Sequence, residues 1–386
     1  VKEVLLLAGT RPEAVKIAPV ALALADHPVL RPVIVHSGQH VGMVEQALDA
    51  FGLAPDVVVR VPRHLGSQAE LLGGLVVRLD DLFGERDPAA VVVQGDTTTA
   101  LGGALAAFWR GVPVAHLEAG LRTGDLAGPF PEEGTRQMIA RIAALHLAPT
   151  ADAASALLGE ALPDSRITVT GNTVVDAVER VSAADLPARD PDLAALERVL
   201  DARGGRLVLV TVHRRESWGV PLERVLAAVR AIADRYADVH VLVPAHPNPA
   251  VRSTVRDVLG GHDRIVVTEP LDYPDLVRTL RRAAVVLTDS GGIQEEAPSF
   301  GVPVLVLRDT TERMCAVDAG CAWLVGTDTH RIVAEAAWVL DSRLRLPRGR
   351  NPFGDGAAAS RVRKALERLV GVAVEGESVS SSCGPY

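Results

Sequence analysis

The chain has 386 residues, 48% of them apolar, and a formal net charge of −8 at pH 7. Its length suits two domains of roughly 150 to 200 residues, each able to bury a core. The negative balance excludes bulk attraction to nucleic acid or to an acidic membrane surface, so an anionic ligand must be held by local chemistry.

In chain order, short runs rich in Val, Ile and Leu alternate with helical patterns almost from end to end. Strands are expected at "EVLLLAG", "RPVIVHSG", "PDVVVRV", "AAVVVQGD", "VPVAHLEA", "LHLAPT" and "RITVTGN", with helices between them. A polar, Pro/Ala-rich stretch, "SAADLPARDPDLAALERVLDARGG", reads as the connection between domains. A second series follows: "RLVLVTVHR", "VHVLVPAHP", "RIVVTEP", "AAVVLTDSGG", "VPVLVLRD" and "CAWLVGT", then a helix in "GDGAAASRVRKALERLVG". The alternation predicts an α/β protein with two doubly wound parallel sheets built from right-handed βαβ units. The tail "EGESVSSSCGPY" is small and polar, the composition of a disordered segment. The N-terminal sequence goes straight into a strand without signal-peptide character, and no apolar run reaches the roughly 18 residues of a bilayer span. A cytoplasmic protein without membrane association is expected. Cys315, Cys321 and Cys383 show no C-x-x-C spacing, so neither a disulfide framework nor a zinc site is indicated.

In doubly wound sheets ligands bind beyond the carboxyl ends of the strands, which makes the residues after each strand the candidates. The first strand leads into "GTRPEAVKIAP". Thr10 and Glu13 have the spacing of a capping box, but Arg11 and Lys16 place two cations where the helix dipole favours anions, which suggests an anionic ligand. Asp96 follows the fourth strand and could cap the next helix. Glu118 follows the fifth, and Glu132 and Glu133 open a helix beyond a Gly/Pro-rich loop. Each acid has an ordinary explanation. Together, Asp96, Glu118 and Glu132 would crowd one rim of one sheet, at a cost in repulsion and desolvation that structure alone does not repay.

The second half supplies groups suited to phosphate. His213 ends a strand with Arg214 and Arg215 behind it, and His246 ends the next. Ser290, Gly291 and Gly292 can offer backbone N–H groups without charge, and Arg313 is placed as a second clamp. No G-x-G-x-x-G follows the first strand, and G-x-x-x-x-G-K-[ST], G-x-S-x-G and H-E-x-x-H are missing, which removes support for ordinary NAD(P), P-loop, α/β-hydrolase and zinc-peptidase chemistry. Carboxylates in one half and phosphate binders in the other fit a nucleotide-linked sugar held between two domains.

"GTRPEAVKIAP", "GDTTTALGGALAAF", "HLEAGLRTGDLAGPFPEEGTRQ", "GNTVVDA", "HRRESWG", "LTDSGGIQEEAPSFGVPVLVLRDTTER" and "NPFGDGAAASR" together resemble the non-hydrolysing UDP-N-acetylglucosamine 2-epimerases of bacteria, over most of the chain and in the family's order. The resemblance implies a GT-B fold: two Rossmann-like domains facing each other across a cleft, with the C-terminal helix crossing back to the first. Residues 1–172 plus 358–374 would form the sugar-handling domain, 173–357 the UDP-binding domain, and 375–386 a disordered tail. The implied reaction inverts C2 of UDP-N-acetylglucosamine by eliminating UDP to a 2-acetamidoglucal and adding it back, with no cofactor and no metal. Asp96, Glu118 and Glu132 match the acid/base and cation-stabilising set, and His213 the residue facing the departing diphosphate. Arg11, Lys16, His246, Leu276, Ser290, Gly291, Gly292, Glu296 and Arg313 match UDP or substrate contacts, with Leu276 near the uracil and Glu296 at the ribose hydroxyls. Glu295 gains only the role of a favourable first-turn charge. A homodimer is implied.

The chain departs from that pattern at Met314 and Cys315, where the family has Pro-Glu. At Val41 and Gly42 it lacks the longer polar residues of the segment that binds an activating second UDP-N-acetylglucosamine, which argues against that activation. The alternatives are a GT-B glycosyltransferase using a UDP-sugar, a hydrolysing 2-epimerase releasing free N-acetylmannosamine, and a silent nucleotide-sugar sensor.

Overall fold

The computed structural model describes residues 1–40, 42–214, 217–246, 248–347, 349 and 351–372. Val41, Arg215, Cys383 and the expected tail 375–386 lie outside these. The chain divides into unit 1, Val1–Thr173 with the segment from Gly356, and unit 2, Val174–Asp355.

Unit 1 runs β1 (Lys2–Ala8), α1 (Arg11–Ala25), β2 (Leu30–His36), α2 (Met43–Asp49), β3 (Val57–Val58), α3 (Gln68–Arg86), β4 (Ala90–Gln94), α4 (Thr98–Trp109), β5 (Val114–Leu117), α5 (Glu132–Ile142), β6 (Leu145–Ala148), α6 (Ala151–Gly159) and β7 (Ile167–Val169). Its strands form one sheet in the order β3-β2-β1-β4-β5-β6-β7, and every pairing is parallel. The central strands read as unbroken apolar runs because helices cover both faces, and Leu5, Leu6, Leu7, Val91, Val92 and Val93 are fully buried. The longest helix shows the complementary pattern. Ser67 Oγ caps α3 by accepting from the Glu70 amide, and Leu71, Leu75, Leu79 and Phe83, four residues apart, form its buried stripe.

Unit 2 takes in most of α7 (Thr173–Ala184), then α8 (Pro191–Arg203), β8 (Arg206–Thr211), α9 (Val220–Arg235), β9 (Val239–Pro244), α10 (Pro249–Leu259), β10 (Ile265–Thr268), α11 (Tyr273–Arg282), β11 (Ala283–Thr288), α12 (Gly291–Glu296), β12 (Val304–Val306), α13 (Met314–Asp318), β13 (Ala322–Leu324) and α14 (Thr329–Ser342). Its parallel sheet has the order β10-β9-β8-β11-β12-β13. The stretch expected to connect the domains instead folds within unit 2: Asp190 caps α8 through the amides of Asp192 and Leu193, and Gly204 ends it in the left-handed conformation.

The last helix, α15 (Ala358–Leu369), belongs to unit 1, as the resemblance implies. His27 ties it there. The ring Nδ1 accepts the amides of Val29 and Leu30, so the proton sits on Nε2 and is donated to Glu367 Oε1 at 3.1 Å.

Both sheets reverse direction of growth once, between β1 and β4 in unit 1 and between β8 and β11 in unit 2. Those switch points, at the carboxyl ends of the strands, are where the fold leaves a crevice for ligand. Among the described residues no helix is long and apolar enough to cross a membrane.

Candidate active site

At the switch point of unit 1 the β1–α1 turn carries Arg11, the first residue of α1, and the β4–α4 turn carries Asp96. The turn after β1 has no room for a side chain at its first position. A Cβ on Gly9 would fall 2.1 Å from Thr99 Oγ1 and 2.4 Å from Ser37 Oγ. Thr10 and Glu13 do not form the expected capping box. Thr10 Oγ1 donates to Glu13 Oε2 at 2.8 Å instead of accepting a helix amide, and the Gly9 amide donates to the same oxygen at 3.0 Å. Thr97 Oγ1 reaches Glu13 Oε1 at 2.6 Å. Glu13 is fully buried, and that burial pushes its carboxyl up to about 7 against the pull of its donors.

Lys16 lies one turn further along α1, with Nζ 2.7 Å from each oxygen of Glu118. Lys16 thus meets an anion of the protein itself, 102 residues away in sequence. Glu118 also accepts from Gln94 Nε2 and adopts φ 66°, a left-handed backbone rare outside glycine and concentrated at functional sites. Asp96 is not a helix cap, since Thr97 fills that role through the Ala100 amide. Its carboxylate is held by the buried Arg136, whose Nε and Nη2 both lie 2.7 Å from Oδ2. The turn before it is fixed by His116, which contacts the Gly95 carbonyl at 2.7 Å through Nε2. Because a carbonyl only accepts, Nε2 must carry the proton; burial pushes this imidazole down to about 4, which keeps it neutral.

The pair that opens α5 divides its labour. Glu133 is fully buried and structural: it accepts from the Thr123 amide at 3.1 Å and from Gln137 Nε2 at 2.9 Å, joining the preceding loop to the helix. Glu132 is half-buried and has no hydrogen-bond or ion-pair partner among the described residues. Unit 1 thus offers two carboxylates held by cations at the ends of neighbouring strands and a third at the head of α5.

In unit 2 the buried Asp289, at the end of β11, organises the loop after β8. It accepts the amides of His213 and Arg214 and the Ser217 hydroxyl, at 2.9 to 3.1 Å. Arg214 is engaged too, with Nε on the Asp289 carbonyl at 3.1 Å and Nη2 3.6 Å from Glu312. His246 lies 6.1 Å from the His213 ring and 5.6 Å from Trp218, centroid to centroid. Leu276 is buried on α11, and Glu296 is buried at the end of α12.

Ser290 is the N-terminal flanking residue of α12, which begins at Gly291. Gly291 is required by Arg313, whose guanidinium carbon would lie 2.5 Å from a Cβ at that position. Gly292 is open, with nothing closer than Ser290 Oγ at 3.9 Å. The role expected for Glu295 is corrected. It is fully buried rather than a surface first-turn charge, because Arg313 Nε donates to its Oε1 at 2.9 Å and removes the penalty of burying it alone. Glu312 sits among Arg313, Arg214 and Arg308; burial opposes its ionisation, but the three guanidiniums bring it down to about 2.

Five residues of this architecture were not singled out by sequence: Glu13 as more than a cap, Arg136, His116, Asp289 and Glu312. Asp289 was within reach, since it directly precedes the Ser-Gly-Gly turn at a strand end. The others act through partners distant in sequence or look like ordinary helix-end charges.

Residues 22–367 match the family model described as UDP-N-acetylglucosamine 2-epimerase. The UDP-N-acetylglucosamine 2-epimerase of Yersinia pestis is 42% identical over 370 residues, 95% of this chain and 98% of that one. A Staphylococcus aureus protein solved with UDP superposes with a TM-score of 0.88 at 37% identity, covering 98% of this chain and 99% of its own. The UDP-GlcNAc 2-epimerase of Neisseria meningitidis, solved with UDP-GlcNAc bound, gives 0.85 at 35% identity over 95% of this chain and 100% of its own. With a shared GT-B architecture, near-complete coverage and this level of identity, the chain belongs to the UDP-N-acetylglucosamine 2-epimerase family.

Proposed function

We propose that the chain interconverts UDP-N-acetylglucosamine and UDP-N-acetylmannosamine, with unit 2 binding the UDP and unit 1 supplying the chemistry. The observation that carries this reading is the pair of strand-end carboxylates in unit 1, Asp96 held by Arg136 and Glu118 held by Lys16, with Glu132 at the head of α5 in the same unit. A glycosyl transfer needs an acceptor and one base. Inversion at C2 needs acid/base groups on both faces of the ring and a group that stabilises positive charge at C1.

The C2 hydrogen has no neighbouring carbonyl to acidify it. As the C1–O bond breaks, its electrons leave with the β-phosphate, and the oxocarbenium character at C1 acidifies C2–H. One carboxylate then takes the proton, and the C–H electrons form the C1–C2 double bond of a 2-acetamidoglucal. Protonation of C2 from the other face and return of UDP to C1 complete the inversion, with no net gain or loss of electrons. Each proton-transfer partner is worth a factor of about 10² to 10⁴.

On the UDP side, the open Gly292 and the backbone of Ser290 and Gly291 supply neutral donors, and His213 faces the departing diphosphate. Arg313, fixed in place by Glu295 and Glu312, is a guanidinium contact for the diphosphate, with Arg11 as a further cation and Leu276, His246 and Glu296 as uridine or substrate contacts. The same reading includes a cytoplasmic homodimer, which light scattering would test for assembly. NMR of UDP-N-acetylglucosamine with the protein in D₂O tests the chemistry. Epimer carrying deuterium at C2, without acceptor and without free sugar, is the expected result; free N-acetylmannosamine or no exchange at C2 overturns it.

A further inference from the structure

We infer that Glu13 is a positioning residue for this reaction, its buried carboxylate tying the turn that carries Arg11 to the turn that carries Asp96. The inference rests on the proposed epimerase reading for its kinetic consequence and on geometry for the tie itself. Glu13 accepts from four donors: the Gly9 amide and Thr10 Oγ1 on one oxygen, Thr97 Oγ1 on the other, and the Thr10 amide as well. Those of Gly9 and Thr10 lie in the β1–α1 turn and that of Thr97 in the β4–α4 turn, 84 residues away. Only a group that accepts at both ends can close this bridge, and among side chains that is a carboxylate, in the ionised form that Glu13 takes above about pH 7.

The direction of each bond is fixed. Thr97 Oγ1 already accepts from the Ala100 amide at 3.0 Å as the cap of α4, so its proton is available to Glu13. A helix cap alone would not explain the arrangement, because a hydroxyl caps a helix without burying a charge. The far side of the same turn is pinned by His116 on the Gly95 carbonyl. Asp96 therefore sits between two fixed points, with Arg136 setting its side chain. A carboxylate that must meet a proton at hydrogen-bond distance gains from such restraint, since misplacement by about 1 Å can cost on the order of 10²-fold in rate.

The test uses the full chain and the variants Glu13→Gln, Thr97→Val and Thr97→Ser, each followed by amide hydrogen exchange across 95–100 and by epimerisation kinetics. Glu13→Gln and Thr97→Val should raise exchange in that segment by roughly tenfold or more and lower kcat by about 10- to 100-fold, with UDP affinity within about threefold of native. Thr97→Ser keeps the hydroxyl and should restore both. Native-like exchange in Glu13→Gln and Thr97→Val overturns the tie, as does a Thr97→Ser variant no better than Thr97→Val. Native kcat in both, or UDP affinity falling as far as kcat, overturns the positioning role. If the native chain fails to epimerise, the functional reading falls separately, and hydrogen exchange still decides whether Glu13 joins the two turns.

Discussion

Lys16 Nζ and the carboxylate of Glu118 form a buried ion pair, 2.7 Å to either oxygen, with each side chain only 6% exposed. Such a pair adds little net stability against a well-packed apolar alternative, yet removing one partner leaves a buried charge uncompensated. Glu118 also holds a left-handed backbone at φ 66°, a strain of order 1–3 kcal/mol that the surrounding structure has to overcome. Two costs meet at one residue. Selection for folding alone would remove both, and the chemical role proposed for Glu118 accounts for their coexistence.

Lys16→Met is expected to destabilise unit 1 by roughly 3 kcal/mol, the scale for breaking a buried pair from one side, and to abolish most turnover. The double variant Lys16→Met with Glu118→Leu should regain much of the lost stability and none of the activity. Thermal unfolding and kinetics of the native protein, Lys16→Met, Glu118→Leu and the double variant check this. A double variant less stable than the sum of its parts would show that the pair is not the coupling described.

The three carboxylates make a sharper kinetic prediction. Asp96→Asn, Glu118→Gln and Glu132→Gln each preserve shape and should lower kcat by about 10² to 10⁴, with UDP affinity nearly unchanged because the proposed function assigns UDP binding to unit 2. Titration with UDP and single-turnover kinetics separate the two quantities. Near-native kcat in all three would remove the site from unit 1.

How much of this was legible in sequence depended on how far each feature reaches along the chain. The strands were legible because a parallel strand covered on both faces must be apolar throughout, as in "AVVVQ" of β4. Even the two-residue β3 fell inside its expected stretch. Strand-end positions such as Asp96, Glu118, His213 and Ser290 followed from the topology rule alone. What stayed hidden was pairing. Asp96 and Arg136 are 40 residues apart, and Lys16 and Glu118 are 102 apart, distances at which no local pattern links them. Glu295 was misjudged for a related reason: in the six-residue α12, periodicity cannot show which face is buried, and the buried partner, Arg313, comes from beyond the next strand.

The two glycines of "DSGG" should respond differently to the same change. Gly291→Ala places a methyl 2.5 Å from the Arg313 guanidinium, which cannot step aside without giving up its hydrogen bond to the buried Glu295. That substitution should destabilise unit 2 by a few kcal/mol, consistent with breaking a buried pair. Gly292→Ala meets nothing closer than 3.9 Å and should leave stability within about 0.5 kcal/mol of native. If Gly292 lies against the diphosphate, its alanine variant will still lose UDP affinity, and calorimetric titration beside thermal unfolding distinguishes the two effects. Equal loss of stability in both variants would contradict the packing described.

Two buried carboxylates, one in each unit, should give stability a pH dependence of opposite sign. Glu13 is raised from 4.5 to about 7, so the native state holds its proton more tightly than the unfolded chain does. Its contribution is fully present below 4.5 and is lost as pH rises through 7, at which point the ionised group penalises folding by about 3 kcal/mol. Glu312 is depressed from 4.5 to about 2, so its contribution is present above 4.5 and is lost as pH falls towards 2. At pH 7 that contribution also amounts to about 3 kcal/mol. Glu13→Gln should therefore gain stability relative to native between pH 5 and pH 8, even while turnover falls. Glu312→Gln should be least stable relative to native at neutral pH, with the gap narrowing by pH 3. Unfolding midpoints across pH 3 to 8 for both variants check the signs, and parallel pH profiles would rule out the opposite shifts. A Glu13→Gln protein that is more stable at pH 8 yet slower would also separate positioning from folding, since a residue kept only for structure cannot be improved upon at the expense of rate.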